Sequence, residues 1–285
     1  MKRWMGRLFA SLFSVAAATS AIACQITPVA DIPVRWVDGR PVLTANLNDR
    51  PIDWVLATGS PTSTVARSDA RRAGLTLYEV DHSNDFGHAR NEREEWSYPS
   101  TLKLGSLAVR EASFKVAVPS PGAPQGVGST LGLAALNAYA LELDLGHGRL
   151  RLLKANGCVG DEHLYWGGAY SMLALDTDHG WRLPASVNGK AVTVTVDSGA
   201  AESSITPDAA LRLGLETKGR PRTALLDAVT LDQETLHSVS VMVNDSDASK
   251  GLVLGADFLR AHRVLVLPAE HRVYFTHNDG PGLVK

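Results

Sequence analysis

The residue with the clearest chemical potential is Asp197, which directly follows an apolar and β-branched run at 192–196. Ser198 and Gly199 come next, so a carboxylate and a hydroxyl stand where a strand ends and a tight turn begins. Backbone N–H groups of such a turn can bind the carboxylate, which can itself take up or release a proton. Asp197 is therefore the first candidate for acid–base chemistry. The alternative is an Asx-type turn residue that only holds its own loop together.

The chain resembles itself when it is shifted by 140 residues. This shift aligns 45–75 with 185–215 without a gap, and a second block aligns 131–136 with 254–259 at a shift of 123. The period is too long for a solenoid, so we interpret the pattern as two homologous lobes that arose by duplication. The predicted organisation is a signal peptide at 1–23, an N-terminal lobe at 24–157 and a C-terminal lobe at 158–285.

Each lobe is predicted to be rich in β-strands. Alternating or β-branched runs predict strands at 41–47, 52–56, 190–196 and 237–243. The turns that begin at Asn48 and Asn188 predict hairpins. A short helix is predicted between Thr206, which suits an N-cap, and Gly214, which suits a C-terminal stop.

Further signals follow the Asp-Ser-Gly segment. An apolar stretch ending in glycine lies at 252–255, and a last strand is predicted at 264–267. In this order the signals resemble the aspartic protease superfamily, most closely its retropepsin-like domains. The resemblance implies a mostly β fold of two closed lobes with short helices. It also implies peptide-bond hydrolysis by a water molecule that Asp197 activates, with a peptide or protein substrate and no cofactor.

In that family two loops face each other, and their two carboxylates share a proton while serving as base and acid. The resemblance implies that the supporting loop residues here are Ser198 and Gly199 in one lobe and Ala57, Thr58 and Gly59 in the other. The shift of 140 pairs Asp197 with Ala57, so the N-terminal loop keeps the hydroxyl and the glycine but lacks the acid.

Three interpretations of the missing acid stay open. The chain is a pseudoprotease that binds peptide or envelope protein without cutting it, or it forms a homodimer in which two copies of Asp197 meet. In the third interpretation, Asp197 alone supports slow hydrolysis.

Only the N-terminal lobe has room for a flap, the hairpin that closes over substrate in this family. The interval from Leu75 to Leu131 is 56 residues, against 39 from Leu215 to Leu254, and the surplus falls at 78–98. The aromatic residues near this surplus are Trp96 and Tyr98. We interpret them as candidates for substrate contact; the alternative is a solvated loop with an aromatic residue packed beneath it.

The N-terminus predicts export. Basic residues precede an apolar run at 8–18, and Ala-Ile-Ala at 21–23 is typical of a signal-peptidase site. The protein is therefore expected in the periplasm or outside the cell. Cys24 follows directly, and two fates stay open: lipid attachment, which would anchor the protein to a membrane, or a disulfide with Cys158.

Composition and spacing exclude several other functions. A formal net charge of −2 without a basic stripe argues against nucleic-acid binding. The nine histidines show no ligand spacing with a neighbour, so surface or capping roles and no metal are expected. Asp257 is interpreted as an acid at the start of a helix, where it binds backbone N–H groups.

Overall fold

The structure, a computed structural model, describes residues 25–81, 93–118, 122–156, 169–178, 180–245 and 251–277. The predicted signal peptide, Cys24, Cys158 and the predicted boundary at 157–158 lie outside these residues. Within the described ranges, no helix has the length and apolar character needed to cross a membrane.

The described residues form twenty strands and three α-helices. The first half contains β1 (Gln25–Val37), β2 (Arg40–Leu47), β3 (Arg50–Leu56), β4 (Thr64–Ala66), α1 (Arg67–Arg72), β5 (Leu77–Asp81), β6 (Arg93–Leu104), β7 (Leu107–Ala117), β8 (Ser129–Leu131), β9 (Ala140–Asp144) and β10 (Arg149–Asn156). The second half contains β11 (Ser171–Ala174), β12 (Trp181–Val187), β13 (Lys190–Val196), β14 (Ser204–Ile205), α2 (Pro207–Leu213), β15 (Thr217–Lys218), β16 (Thr223–Leu231), β17 (Glu234–Val243), β18 (Leu252–Leu254), α3 (Ala256–Ala261), β19 (His262–Leu267) and β20 (Arg272–His277).

Both lobes contain seven strands in the same spatial order. The order is β2-β3-β8-β4-β7-β6-β5 in the N-terminal lobe and β12-β13-β18-β14-β17-β16-β15 in the C-terminal lobe. In each lobe the first of these strands also pairs with the sixth, which closes the sheet. The prediction of a mostly β fold with two closed lobes and short helices is confirmed.

A six-stranded antiparallel sheet joins the two lobes, and sequence reasoning did not predict it. Its order is β11-β20-β19-β9-β10-β1, so each half of the chain supplies three strands. The junction is the pairing of β9 with β19, where Leu143 lies opposite Val264 and Leu141 lies opposite Val266. All four side chains are buried, and the lobes therefore share one continuous core.

The predicted hairpins are present and are built alike in the two lobes. Asn48 and Asn188 have φ angles of 48° and 50°, in the left-handed region that tight hairpin turns require. Their side-chain oxygens accept hydrogen bonds from the N–H groups of Thr101 at 2.9 Å and Ala228 at 3.0 Å. Each asparagine thus forms its turn and also ties the hairpin to the sixth strand of its lobe.

The predicted helix is α2, and its ends follow the sequence signals. The Thr206 hydroxyl accepts a hydrogen bond from the Ala209 N–H at 3.2 Å, and Gly214 ends the helix with a φ of 75°. Ala209 and Ala210 are buried against the core of the C-terminal lobe. This helix follows β14, the short strand after the loop that carries Asp197.

Candidate active site

Asp197 and Ala57 lie at the ends of equivalent strands. The parallel pairing of β13 with β18 ends where the Asp197 N–H donates to the Leu254 carbonyl at 3.0 Å. In the other lobe β3 pairs with β8, and the Ala57 N–H donates to the Leu131 carbonyl at 3.0 Å. The two loops therefore leave their sheets in the same way.

The glycine after each short supporting strand is required by close packing. A β-carbon at Gly132 would lie 2.5 Å from the Thr62 carbonyl oxygen, and one at Gly255 would lie 2.6 Å from the backbone of Glu202. These distances are too short for any side chain. The glycine that ends each apolar segment therefore allows its strand to pass directly beneath the loop.

Asp257 stabilises the segment that follows Asp197 through hydrogen bonds to Ser203. Its carboxylate accepts hydrogen bonds from the Ser203 N–H at 3.0 Å, from the Ser203 hydroxyl at 2.7 Å and from the Phe258 N–H at 2.8 Å. The Ser203 hydroxyl in turn accepts from the Gly255 N–H at 3.0 Å. Asp257 lies in the first turn of α3, as the sequence predicted, but its bonds to Ser203 give it a wider role than that of a helix-start acid.

The hydroxyl groups of Thr58 and Ser198 join the two loops by a reciprocal set of hydrogen bonds, which we call the hydroxyl clasp. Thr58 Oγ1 donates to the Val196 carbonyl at 2.9 Å and accepts from the Ser198 N–H at 3.0 Å. Ser198 Oγ donates to the Leu56 carbonyl at 2.7 Å and accepts from the Thr58 N–H at 3.1 Å. Both side chains are fully buried, so the clasp holds the loops face to face.

We expect Thr58→Val to lower the free energy of unfolding by about 2–4 kcal/mol, because the buried Ser198 N–H and the Val196 carbonyl would both lose their partner. Urea denaturation measures this change. Thr44→Val is the matched control, since the Thr44 hydroxyl binds Asp53 on the exposed face of β2; its expected effect is within about 0.5 kcal/mol. Equal effects of the two substitutions would contradict a structural role for the clasp.

The Asp197 carboxylate is bound by both loops. Its Oδ1 accepts hydrogen bonds from the Gly199 N–H of its own loop at 2.8 Å and from the Gly59 N–H of the N-terminal lobe at 3.1 Å. A β-carbon at Gly59 would lie 2.3 Å from the carboxylate carbon, so only glycine fits there. The side chain is held in one orientation at the point where the lobes meet.

Ala57 stands opposite Asp197 in the other lobe. A β-carbon at Gly199 would lie 2.9 Å from the Ala57 β-carbon, which mirrors the close approach of Gly59 to Asp197. The structure therefore brings all the predicted loop residues together around Asp197. The place equivalent to its carboxylate holds the methyl group of Ala57.

A pocket of about 300 Å³ lies beside Asp197. Ala57 and Gly199 are among the residues that line it, and Val55 and Val127 add apolar surface. The pocket thus combines one carboxylate with small residues, both apolar and hydroxyl-bearing, which suits a side chain or a short stretch of peptide.

Arg40 also lines this pocket, and sequence reasoning missed it. Its Nε donates to the Gly199 carbonyl at 2.8 Å, so an N-terminal residue binds the C-terminal loop. The shift of 140 aligns Arg40 with Gly180, whose φ is 98° and where a β-carbon would lie 3.1 Å from the Gly59 carbonyl oxygen. No signal in the neighbouring sequence predicts this contact, and the position marks a point where the lobes differ.

The β5–β6 hairpin is the predicted flap. It pairs five residues on each strand, whereas the equivalent β15–β16 hairpin pairs only two; residues 82–92 lie outside the described part. The Trp96 indole donates to the Glu94 carboxylate at 3.1 Å, and Tyr98 is 44% exposed, with its carbonyl bound by the Tyr78 hydroxyl. Neither Trp96 nor Tyr98 lines the pocket beside Asp197, so their contact with substrate stays a prediction.

Comparison with known families finds a match in the C-terminal half of the chain. Residues 183–261 match the model of the family described as gag-polyprotein putative aspartyl protease, and this range includes Asp197 and the glycine at 255. No curated protein matches the chain. The C-terminal lobe is thus similar to retropepsin-like aspartic proteases, and the superfamily predicted from the sequence is confirmed. The match does not extend to the N-terminal lobe, and the duplication stays a prediction.

Proposed function

We propose that this chain, with its retropepsin-like C-terminal lobe, is an exported aspartic peptidase that hydrolyses peptide bonds with a water molecule activated by Asp197. The observation that carries the proposal is the binding of the Asp197 carboxylate by N–H groups of both lobes beside a pocket of about 300 Å³. Such an oriented carboxylate at a cleft suits a general base.

The proposed reaction uses Asp197 twice. Its carboxylate takes a proton from water while the oxygen of that water attacks the scissile carbonyl carbon. The resulting carboxylic acid then returns the proton to the departing amine in a later step, so protons balance over one turnover. Because one group must act first as base and then as acid, turnover is expected to be slow compared with a site that holds two acids.

A second candidate function is peptide binding without hydrolysis, and Ala57 is the observation that favours it. The methyl group of Ala57 faces the Asp197 loop where the family carries its other acid. An extended peptide in this cleft would pair with exposed strand edges and place side chains in the pocket. Binding of this kind needs the cleft but does not need a proton acceptor.

The hydroxyl clasp favours a single chain over a homodimer as the functional form. A second copy would bring another Asp197 to the site only if the N-terminal lobe left its place. That movement would break the bonds between Thr58 and Ser198 and the bond from Gly59 to Asp197. These groups are buried, so their loss would be costly.

The test is proteolysis by purified protein that begins at residue 24, with an unstructured protein as substrate, over the acid to neutral pH range. We expect Asp197→Asn to reduce cleavage to background because the variant cannot accept a proton. Asp53→Asn is the control, since Asp53 is an exposed carboxylate paired with Arg35, and it should leave cleavage unchanged.

Peptide binding, measured on the same variants, separates the two candidates. Cleavage lost only in Asp197→Asn supports the peptidase. Retained peptide binding without cleavage in any variant supports the binder. Cleavage that survives Asp197→Asn would contradict the proposed role of Asp197.

A further inference from the structure

We propose that Glu234, His262 and His277 form a binding site for a divalent transition-metal ion such as Zn²⁺. One oxygen of Glu234 and one ring nitrogen of each histidine all lie within 4.8 Å of one another. Two imidazoles and one carboxylate are a donor set that Zn²⁺ binds in proteins, with a further position left for water. None of the three residues lines the pocket beside Asp197, so the site is separate from the proposed peptidase site.

The distances among the three groups fit an ion of this size. Glu234 Oε1 lies 3.0 Å from His262 Nε2 and 3.9 Å from His277 Nδ1. With metal–ligand bonds of about 2.0–2.2 Å, tetrahedral ligands lie about 3.3–3.5 Å apart. Each pair would therefore need to change its separation by no more than about 1.5 Å.

The hydrogen bonding of His262 points to a positive charge at the centre of this cluster. His262 Nδ1 lies 2.7 Å from the Phe258 carbonyl oxygen, which can only accept, so Nδ1 must be the donor. In the neutral ring Nε2 is then an acceptor, and it faces the Glu234 carboxylate, another acceptor, at 3.0 Å. This contact requires either a proton shared by Nε2 and the carboxylate or a cation bound by both groups.

His277 favours a metal ion over a proton. A proton between Glu234 and His262 needs no third group, yet His277 Nδ1 also lies 3.9 Å from the same carboxylate oxygen, too far for a hydrogen bond but near enough for both groups to bind one ion. A backbone carbonyl that fixes one nitrogen of a histidine while the other binds a metal is the usual outer-shell arrangement of such sites. His262 is fully buried, whereas the His277 side chain is 65% exposed, so an ion can enter from solvent.

The fold explains why these residues meet although they are distant in sequence. His262 and His277 lie directly opposite each other on β19 and β20 of the joining sheet, and Glu234 begins β17 of the closed sheet, or barrel, of the C-terminal lobe. Sequence reasoning expected surface or capping roles for the histidines, and buried His262 departs from that expectation. A bound ion would link the barrel to the joining sheet, so it should stabilise the folded chain.

The experiment is titration of the untagged, EDTA-treated chain, beginning at residue 24, with ZnCl₂. We expect one ion per chain by calorimetry, and a Tm increase of about 5 °C when free Zn²⁺ reaches about a hundred times Kd. Mg²⁺ and Ca²⁺ should have no such effect, because they prefer sites made wholly of oxygen ligands.

Variants assign the ligands. His277→Ala, at an exposed side chain that should not affect folding, and Glu234→Gln should each weaken Zn²⁺ binding at least about tenfold. The matched control is His237→Ala, an exposed histidine on β17 three residues beyond Glu234, which should bind as the unmodified chain does. Absence of one-to-one binding, or binding that survives both ligand substitutions, would overturn the proposal and leave a proton shared by His262 and Glu234.

Discussion

Ala57→Asp is expected to raise cleavage of an unstructured protein in the acid range by about 10²–10⁴-fold, the usual contribution of one positioned acid–base group. The gain should follow a bell-shaped pH profile. Two carboxylates facing each other would share a proton, so activity should fall when both are protonated at low pH and when both are ionised at higher pH.

The geometry around Ala57 explains this expectation. The Asp197 carboxylate accepts hydrogen bonds from an N–H group of its own loop and from the Gly59 N–H of the other lobe. The close approach of the Ala57 β-carbon to Gly199 mirrors that of Gly59 to Asp197, so a carboxylate introduced at position 57 would share with Asp197 the N–H groups of Gly59 and Gly199. The hydroxyl clasp already holds the two loops in register.

Ala57→Asn is the control for this experiment, since it fills the same space without an ionisable group and should not raise cleavage. Thermal denaturation of both variants checks that they fold. A folded Ala57→Asp protein with no gain in the acid range would mean that the two loops do not present their side chains to a common water molecule.

Glu142→Ala is expected to lower the free energy of unfolding by about 3–5 kcal/mol, the cost of breaking a buried ion pair by removing one partner. Glu142 lies on β9 and its side chain is fully buried. It binds Arg151 of the neighbouring β10 at 2.6 Å and Arg263 of β19 on its other side. The hydrogen bond to Glu142 raises the pKa of Arg151.

Urea denaturation of Glu142→Ala, compared with Arg35→Ala, tests this prediction. Arg35 pairs with Asp53 at 2.7 Å, but both side chains are well exposed, so its loss should cost less than about 1 kcal/mol. Similar effects for the two variants would show that buried Glu142 and its two arginines stabilise the fold no more than an exposed ion pair does.

Local signals in the sequence predicted the parts of the fold that depend on neighbouring residues. The hairpins at Asn48 and Asn188 follow from the tolerance of asparagine for left-handed backbone, and the ends of α2 follow from Thr206 and Gly214. The candidate site was also predictable, because the 140-residue shift aligns its loops and both loops leave equivalent strands.

The contacts that sequence reasoning missed join residues that are far apart in the chain. Glu142 alternates with leucines, a pattern typical of a strand with one solvated face, yet it is buried because Arg263, 121 residues away, covers it. Arg40 reaches the Gly199 carbonyl across 159 residues. Neither pairing leaves a signal in a local window, since both arise only when the lobes are assembled.

The charged groups that cross the joining sheet determine how the cleft can accommodate its ligand. Asp31, Arg151, Glu142 and Arg263 follow one another over β1, β10, β9 and β19, with each carboxylate bound by an arginine of an adjacent strand. Only the pair of Glu142 with Arg263 crosses from one half of the chain to the other, so hinge bending between the lobes would have to break this buried pair as well as the apolar contacts of β9 with β19. Adjustment to peptides of different size is therefore expected from the β5–β6 hairpin rather than from movement between the two halves of the protein.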